Sequence, residues 1–128
     1  MEKVVGIGGM FFRAEDPGAL REWHADNLGL VDPPGGVWRQ EGGPTVFAPF
    51  SRDTDHFGDG GQQFMFNFRV GDLGAMLAQL RDTGVEVVRE EEEEGAGRFA
   101  WVVDPEGNRV ELWEPEPDGF GEPNGRSQ

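Results

Sequence analysis

Few residues in this chain have side chains that could bind a metal or transfer a proton at a catalytic site, and Glu111 is the strongest candidate among them. The sequence of 128 residues contains no cysteine, which excludes thiolate nucleophiles, cysteine metal sites and disulfides. Glu111, within the run NRVELW, has the chemistry of a metal ligand, a general base, or an ion-pair partner of Arg98 or Arg69. It is therefore the candidate catalytic residue, while a purely structural ion pair remains an equal alternative.

The two histidines are the other candidates for proton transfer or metal ligation. His24 lies in a segment predicted to be helical, where a packing or surface role is favoured. His56 lies with Asp53 and Asp55 in a polar loop that has the length to reach over a cavity. Acid-rich loops of this kind are commonly only solvated, so both interpretations of His56 stay open.

Charge and motifs exclude several classes of function. The chain has 25 acidic and 11 basic residues, and its formal charge of -14 repels nucleic acid phosphates and anionic membranes. The same acidity suits simple solubility, so it does not by itself indicate a cationic ligand. The first residues form no signal-length apolar run, and we expect a cytoplasmic protein. No nucleophile elbow, phosphate-binding loop, zinc-peptidase helix or EF-hand motif occurs.

The first half of the chain predicts strands around one helix. Residues 4–14 are β-prone, and Asp16-Pro17 then predicts a helix over about 16–28 that ends at Gly29. Residues 37–41 and 45–50 flank Gly42-Gly43 and indicate a hairpin, with 30–32 as a further short strand.

The second half repeats this pattern after about 55 residues. A strand at 63–70 precedes a helix at about 73–83, which begins at Asp72 and ends at Gly84. Three further strands are predicted at 85–88, 98–103 and 109–113, and the acidic run 90–94 is predicted to be a solvated loop. The sequence thus predicts a single domain over 1–116, made of a first module (about 4–50), a linker (51–62) and a second module (about 63–114), with 117–128 as a flexible tail.

Three motifs carry a resemblance to a known family: DPxxLxxWxxxxLGL from residue 16, DLxxMLxxLxxxGVEV from residue 72, and RFAWVVDPEGNRVELWEP from residue 98. Over about 4–116 the chain resembles the vicinal oxygen chelate superfamily, which includes glyoxalases, bleomycin-resistance proteins and extradiol dioxygenases. The resemblance implies an α+β fold in which two tandem βαβββ modules form a curved, partly open mixed sheet around a cavity, with the helices outside. It also implies a homodimer that completes its cavities across two subunits. It does not fix a reaction.

The resemblance implies metal ligands that this sequence largely lacks. In metal-using members the first strand of each module gives a ligand seven residues before the helix-opening acid, and the last strand gives Glu or His. Those first-strand positions are Gly9 and Met65, and residues 44–50 contain no acid, amide or histidine. Only Glu111 matches, so we expect no metal. A divalent metal held by Glu111 with Gln63 after a register slip is the alternative.

Strand alternation predicts which side chains line the cavity. Phe64, Phe66, Phe68 and Val70 are expected to face the helices, and the neighbours between them to face the cavity. The predicted ligand-binding residues are Phe11, Arg13, Trp38, Gln63, Met65, Asn67, Arg69, Arg98, Trp101 and Trp113.

Three functions remain. The first is a small-molecule-binding protein of the glyoxalase and bleomycin-resistance type without the usual metal centre, whose aromatic pocket holds a small organic molecule. The second is a metal-dependent lyase, isomerase or dioxygenase of the same superfamily that uses Glu111. The third is a degenerate domain that serves only as a dimer partner.

Overall fold

A computed structural model of the protein describes residues 1–30, 37–58 and 61–117. These residues contain two helices and four strands, and the chain is α+β as predicted. In chain order the elements are α1 (Pro17–Leu28), β1 (Phe66–Arg69), α2 (Leu73–Asp82), β2 (Val87–Glu93), β3 (Gly97–Val103) and β4 (Arg109–Pro115). The parts of the sequence predicted as a strand at 30–32 and as a tail at 117–128 fall largely outside the described residues.

The four strands form one open mixed sheet in the order β1-β4-β3-β2. β1 runs parallel to β4, whereas β4, β3 and β2 are mutually antiparallel. The elements from β1 to β4 follow one another as strand, helix and three strands, which is the order predicted for the second module. The sheet places β4, with Glu111, at its centre.

The first module differs from its prediction. Its helix α1 forms, but the described residues 1–14 and 37–50 contain no strand. A β-prone run becomes a strand only when its backbone pairs with a neighbour. In the segment of the predicted hairpin, the carbonyls of Glu41 and Pro44 accept hydrogen bonds from the Arg69 guanidinium instead of from a neighbouring strand. In the segment of the predicted first strand, the side chain of Phe11 is 94% exposed. The hairpin and the first strand predicted for this half are therefore wrong for this structure.

Both helices begin and end as their sequences predict. Each helix begins at an aspartate whose side chain accepts a hydrogen bond from the backbone N–H three residues later. Asp16 accepts from Ala19 N at 3.1 Å, and Asp72 accepts from Ala75 N at 3.0 Å. Gly29 ends α1 in the left-handed region with a φ of 73°. Within the described ranges, neither helix has the length and apolarity to cross a bilayer.

The start of α1 is also fastened to the second half of the chain. The carboxylate of Glu106, in the turn between β3 and β4, accepts hydrogen bonds from the backbone N–H groups of Glu15 and Asp16 at 2.8 and 2.9 Å. Asp104 shapes that turn, because its Oδ1 accepts from the N–H groups of Glu106 and Asn108, both at 2.9 Å.

The hydrophobic core lies between α2 and one face of the sheet. Alternate strand residues point into it, as a period of two requires. Complete burial of a Val, Leu or Phe side chain stabilises the fold by about 1.5–3 kcal/mol. The buried cluster consists of Phe68, Leu73, Leu77, Leu80, Ala100, Val102, Val110 and Leu112. The intervening residues of the same strands therefore point to the opposite, concave face, as the alternation predicted for 66–69 and 109–113. Phe64 was predicted to face the helices, but it precedes β1 and lines the cavity, so that part of the prediction is wrong.

The acidic run is a second departure from prediction. Glu90–Glu93 lie in β2 and pair with β3, with Glu90 opposite Ala100 and Glu92 opposite Arg98, so the predicted solvated loop is wrong. β2 is an edge strand whose side chains are mostly exposed, so the carboxylates keep their hydration while the backbone pairs. Arg81 on α2 offsets part of the repulsion through an ion pair with Glu90 at 2.7 Å.

Candidate functional site

An open cavity of about 1120 Å³ lies on the concave face of the sheet. Residues of β1, β3 and β4 form its floor, and loop residues from 46–58 and 61–64 surround it. β2 contributes Glu91 and Glu93 to the lining. The cavity is therefore bounded by the second module and by the segments that precede it.

A row of polar and aromatic side chains crosses the cavity floor. Glu111 stands opposite Asn67 in the pairing of β1 with β4, and opposite Trp101 in the pairing of β3 with β4. Arg89 on β2 lies opposite Trp101 but is not among the residues that line the cavity. Glu111 is only 8% exposed, and its Oε1 accepts a hydrogen bond from Asn67 Nδ2 at 2.7 Å. The register of β1, β4 and β3 thus brings Asn67, Glu111 and Trp101 side by side on the cavity floor.

His56 approaches Glu111 from the loop before β1. Its Nε2 lies 3.4 Å from Glu111 Oε2. The imidazole stacks on Phe50, with centroids 5.1 Å apart, and stands perpendicular to Trp101 at 5.7 Å. Asp53 does not join this cluster, because its carboxylate accepts a hydrogen bond from Ser51 instead. Of the loop cluster considered in the sequence, His56 is the member that reaches the site.

Three aromatic side chains form a stacked wall beside Glu111. Phe99 is nearly parallel to Trp113 and to Trp101, with interplanar angles of 4° and 18° and centroids about 6 Å apart. The Arg89 guanidinium lies over the Trp101 ring at 4.8 Å, a cation–π contact. The indole N–H of Trp113 donates to the carbonyl of Ala96 at 3.0 Å. The wall is therefore held rigidly by the sheet and by these contacts.

Six of the predicted site residues lie together around the cavity. Alternation predicted one face for all six. The register of β1, β3 and β4 brings four of them together, and the other two line the cavity from the segment just before β1. They are Gln63, Met65, Asn67, Trp101, Glu111 and Trp113.

Two predicted arginines lie elsewhere. Arg98 has the opposite strand parity to Trp101, and its guanidinium contacts the carboxylate of Glu114 at 3.6 Å. Arg69 has cavity parity, but its guanidinium is engaged by the carbonyls of Glu41 and Pro44 and does not line the cavity. Neither arginine pairs with Glu111, so that predicted ion pair is replaced by Asn67 and His56.

The site residues predicted in the first module also lie away from the cavity. Phe11 and Arg13 are exposed, because the strand that was expected to aim them inward does not form. Trp38 contacts Phe68, with centroids 6.1 Å apart. Since Phe68 belongs to the core face of β1, Trp38 covers the face opposite the cavity.

Among the described residues, the side chains do not fit a catalytic metal that is held by the protein alone. Such a centre needs about three protein ligands. No group of three His, Cys, Asp or Glu residues close enough to hold an ion occurs within 1–30, 37–58 and 61–117. Glu111 and His56 supply two such groups, and Met65 occupies a position where the resemblance implied a ligand. The arrangement suits hydrogen bonding and stacking instead.

Sequence reasoning missed Phe99 and the partnership of His56 with Glu111. Phe99 shares parity with Trp101, so the alternation rule was sufficient to find it. His56 had no such signal, because a loop residue carries no periodicity that fixes its direction.

Comparisons with known proteins place the chain in a family. A family model described as a glyoxalase-like domain matches residues 9–113. No curated protein sequence matches.

Several solved structures share the fold. TnmS3, an antibiotic binding protein from Streptomyces sp. CB03234, has a TM-score of 0.61 and 22% identity, over 91% of this chain and 100% of its own. Lactoylglutathione lyase from Agrobacterium tumefaciens has a TM-score of 0.62 and 21% identity, over 93% of this chain and 100% of its own. An integron cassette protein from V. Cholerae has a TM-score of 0.54 and 16% identity, over 88% of this chain and 96% of its own. Because the family model spans most of the sequence, the chain belongs to the glyoxalase-like domain family of the vicinal oxygen chelate superfamily.

Proposed function

We propose that this protein binds a small organic molecule in the concave cavity without a metal centre of its own. The observation that carries the proposal is a buried carboxylate, Glu111, at the floor of a cavity walled by aromatic rings. A pocket with apolar walls and a few fixed polar groups is the usual form of a small-molecule site.

Glu111 has hydrogen-bonding capacity left for a ligand. An ionised carboxylate offers about four acceptor positions. In the structure Asn67 donates one hydrogen bond at 2.7 Å, and His56 lies at a longer 3.4 Å. Burying a charge is costly unless hydrogen bonds replace its hydration, so a ligand that donates to Glu111 recovers part of that cost.

The walls define the remaining chemistry of the ligand. Phe99, Trp101 and Trp113 present stacked aromatic groups along the cavity, which favours a planar molecule. Glu91 and Glu93 also line the cavity, and the chain carries a net charge of -14. This field repels anions, so the ligand is neutral or cationic. TnmS3 is described as an antibiotic binding protein, which supports a binding role for this fold.

The experiment is a thermal-shift screen of neutral, cationic and anionic aromatic compounds, with each hit repeated on Glu111→Gln. A ligand that binds the folded state raises the melting temperature by an amount that grows with the ratio of its free concentration to its Kd. Neutral or cationic planar compounds should stabilise the wild type, and Glu111→Gln should reduce the shift. Stoichiometric binding of nickel, zinc or iron accompanied by turnover would overturn the proposal.

A second candidate is an enzyme that uses Glu111. It is favoured by the contact of His56 Nε2 with Glu111 Oε2, since a carboxylate beside an imidazole is an arrangement used in proton transfer. A metal-dependent lyase, isomerase or dioxygenase would need further ligands from its substrate. Elemental analysis of the purified protein, with Glu111→Ala as the control, separates this candidate from a metal-free binder.

We also propose a homodimer in the cytoplasm. Exposed apolar side chains are concentrated in the first half of the chain, including Val5, Ile7, Phe11 and Phe47. A surface of this kind is typical of a protein interface. Light scattering after size exclusion should give twice the chain mass, whereas a monomer at micromolar concentration would count against the dimer. Cell fractionation tests the location.

A further inference from the structure

Trp101 carries a buried hydrogen-bond donor that has no acceptor. Its side chain is 2% exposed, and Nε1 is the buried side-chain polar atom that lacks a hydrogen-bond partner within the described ranges. Buried polar groups in native proteins are nearly always paired, so an unpaired one requires an explanation. Trp113, on the same face of the sheet, shows the usual solution, since its indole N–H donates to the carbonyl of Ala96.

The residue with the unpaired donor is the cross-strand partner of the residue that has spare acceptor capacity. Trp101 and Glu111 are direct cross-strand partners in the pairing of β3 with β4. Residues so placed have Cβ atoms about 4.5–5.5 Å apart and project from the same face. Both line the cavity, yet they do not bond each other. The floor therefore contains a buried donor and an acceptor on two neighbouring residues.

We propose that Trp101 and Glu111 together recognise the amide edge of a planar ligand, as found in a primary aromatic carboxamide or a lactam. This inference rests on the proposed binding function and specifies its ligand. The ligand carbonyl accepts from Trp101 Nε1, and its adjacent N–H donates to Glu111. An ester satisfies Trp101 alone and an ammonium satisfies Glu111 alone, while a carboxylate is repelled by Glu111.

Because Trp101 Nε1 is buried, a ligand reaches it only if a neighbouring side chain moves. His56 is the neighbour that belongs to a loop, and its side chain is 29% exposed. Its ring is held by stacking on Phe50 and by the 3.4 Å contact with Glu111. The imidazole thus already occupies the place of a planar ring with a nitrogen directed at Glu111. Rotation of this side chain opens the position for the ligand.

The test uses three probes with the same ring system: 2-naphthamide, methyl 2-naphthoate and 2-naphthylmethylammonium. Each is titrated by ligand-detected NMR against the wild type, Trp101→Phe and the control Trp113→Phe. The wild type should bind the amide about five- to tenfold more tightly than the ester, because the amide has an N–H group that donates to the charged Glu111 and the ester has none. Trp101→Phe removes stacking area for all three probes, and it should weaken the amide and the ester about fivefold more than it weakens the ammonium.

The outcomes separate this inference from the binding function itself. If all three probes bind the cavity equally, or if Trp101→Phe weakens all three to the same extent as Trp113→Phe does, amide recognition is overturned and binding stands. If no probe binds the wild type, both proposals fail. The ranking of probes on the wild type tests the inference even if a variant does not fold.

Discussion

Asn67 Nδ2 donates to Glu111 Oε1 across the parallel pair of β1 and β4, at 2.7 Å and in direct register. This hydrogen bond fixes the orientation of a buried carboxylate from a neighbouring strand. The hydrogen-bond partner of Glu111 Oε1 is therefore set by strand pairing, whereas His56, the neighbour of Oε2, comes from a loop.

Replacing Asn67 tests that relationship. Asn67→Asp puts a second carboxylate within hydrogen-bonding distance of Glu111, so repulsion replaces the hydrogen bond. We expect this variant to be less stable than Asn67→Ala by about 1 kcal/mol at pH 7. Urea unfolding of both variants measures the difference. Equal stability would show that the two side chains do not interact in solution.

Glu111→Gln should separate stability from binding. The amide still accepts a hydrogen bond from Asn67, but the cost of burying a charge disappears. We expect the free energy of unfolding to rise by about 1 kcal/mol, or roughly 4 °C in Tm. Affinity for a ligand that donates to this position should fall about tenfold. Calorimetry measures both, and a loss of stability together with unchanged affinity would contradict the role given to Glu111.

His56→Ala should strengthen ligand binding, because the imidazole occupies the place proposed for the ligand. A partly exposed contact such as that of His56 with Glu111 contributes about 0.5–1 kcal/mol, which corresponds to a two- to fivefold gain in affinity. Titration of 2-naphthamide into both proteins measures this change. Weaker binding would show that His56 contacts the ligand and does not compete with it.

Gly97 should tolerate no side chain. Its φ is 130°, and an added Cβ would lie 2.2 Å from the carbonyl oxygen of Glu114. Gly97→Ala is expected to destabilise the fold by about 3 kcal/mol or more. Gly95 is the matched control, because it has a φ of 88° but open space around its Cβ, and Gly95→Ala should lose only about 1–2 kcal/mol. Comparable losses in both variants, measured by denaturant unfolding, would contradict this close approach.

The second half of the chain follows its sequence closely. Helix α2 begins at Asp72 because that carboxylate accepts from Ala75 N, a local rule that needs no tertiary information. Alternation likewise placed Asn67, Trp101 and Glu111 on the cavity face, because strand parity is set by the backbone alone.

The remaining features depend on contacts that no local pattern contains. The β-prone residues 4–14 had the composition of a strand, but pairing requires a neighbour, and this segment pairs with no strand among the described residues. The glutamates of β2 were predicted to form a loop because charged residues have low strand propensity. They form a strand because β2 lies at the edge of the sheet, where the side chains stay hydrated while the backbone pairs with β3. The position of His56 beside Glu111 depends on how a loop folds back, which sequence spacing does not encode.

The bond between Glu106 and the start of α1 bears on the order in which the protein folds. The Glu106 carboxylate reaches Glu15 N and Asp16 N from a turn that is itself closed by Asp104, about ninety residues along the chain. A contact of that sequence separation forms slowly, whereas the β3–β4 hairpin is local. We therefore expect the amides of β3 and β4 to gain protection before those of α1 in pulse-labelled hydrogen exchange, and simultaneous protection would refute this order. The turn between β3 and β4, which belongs to the motif that resembles the family, would then also connect the part of the protein that folds first to the helix that folds later.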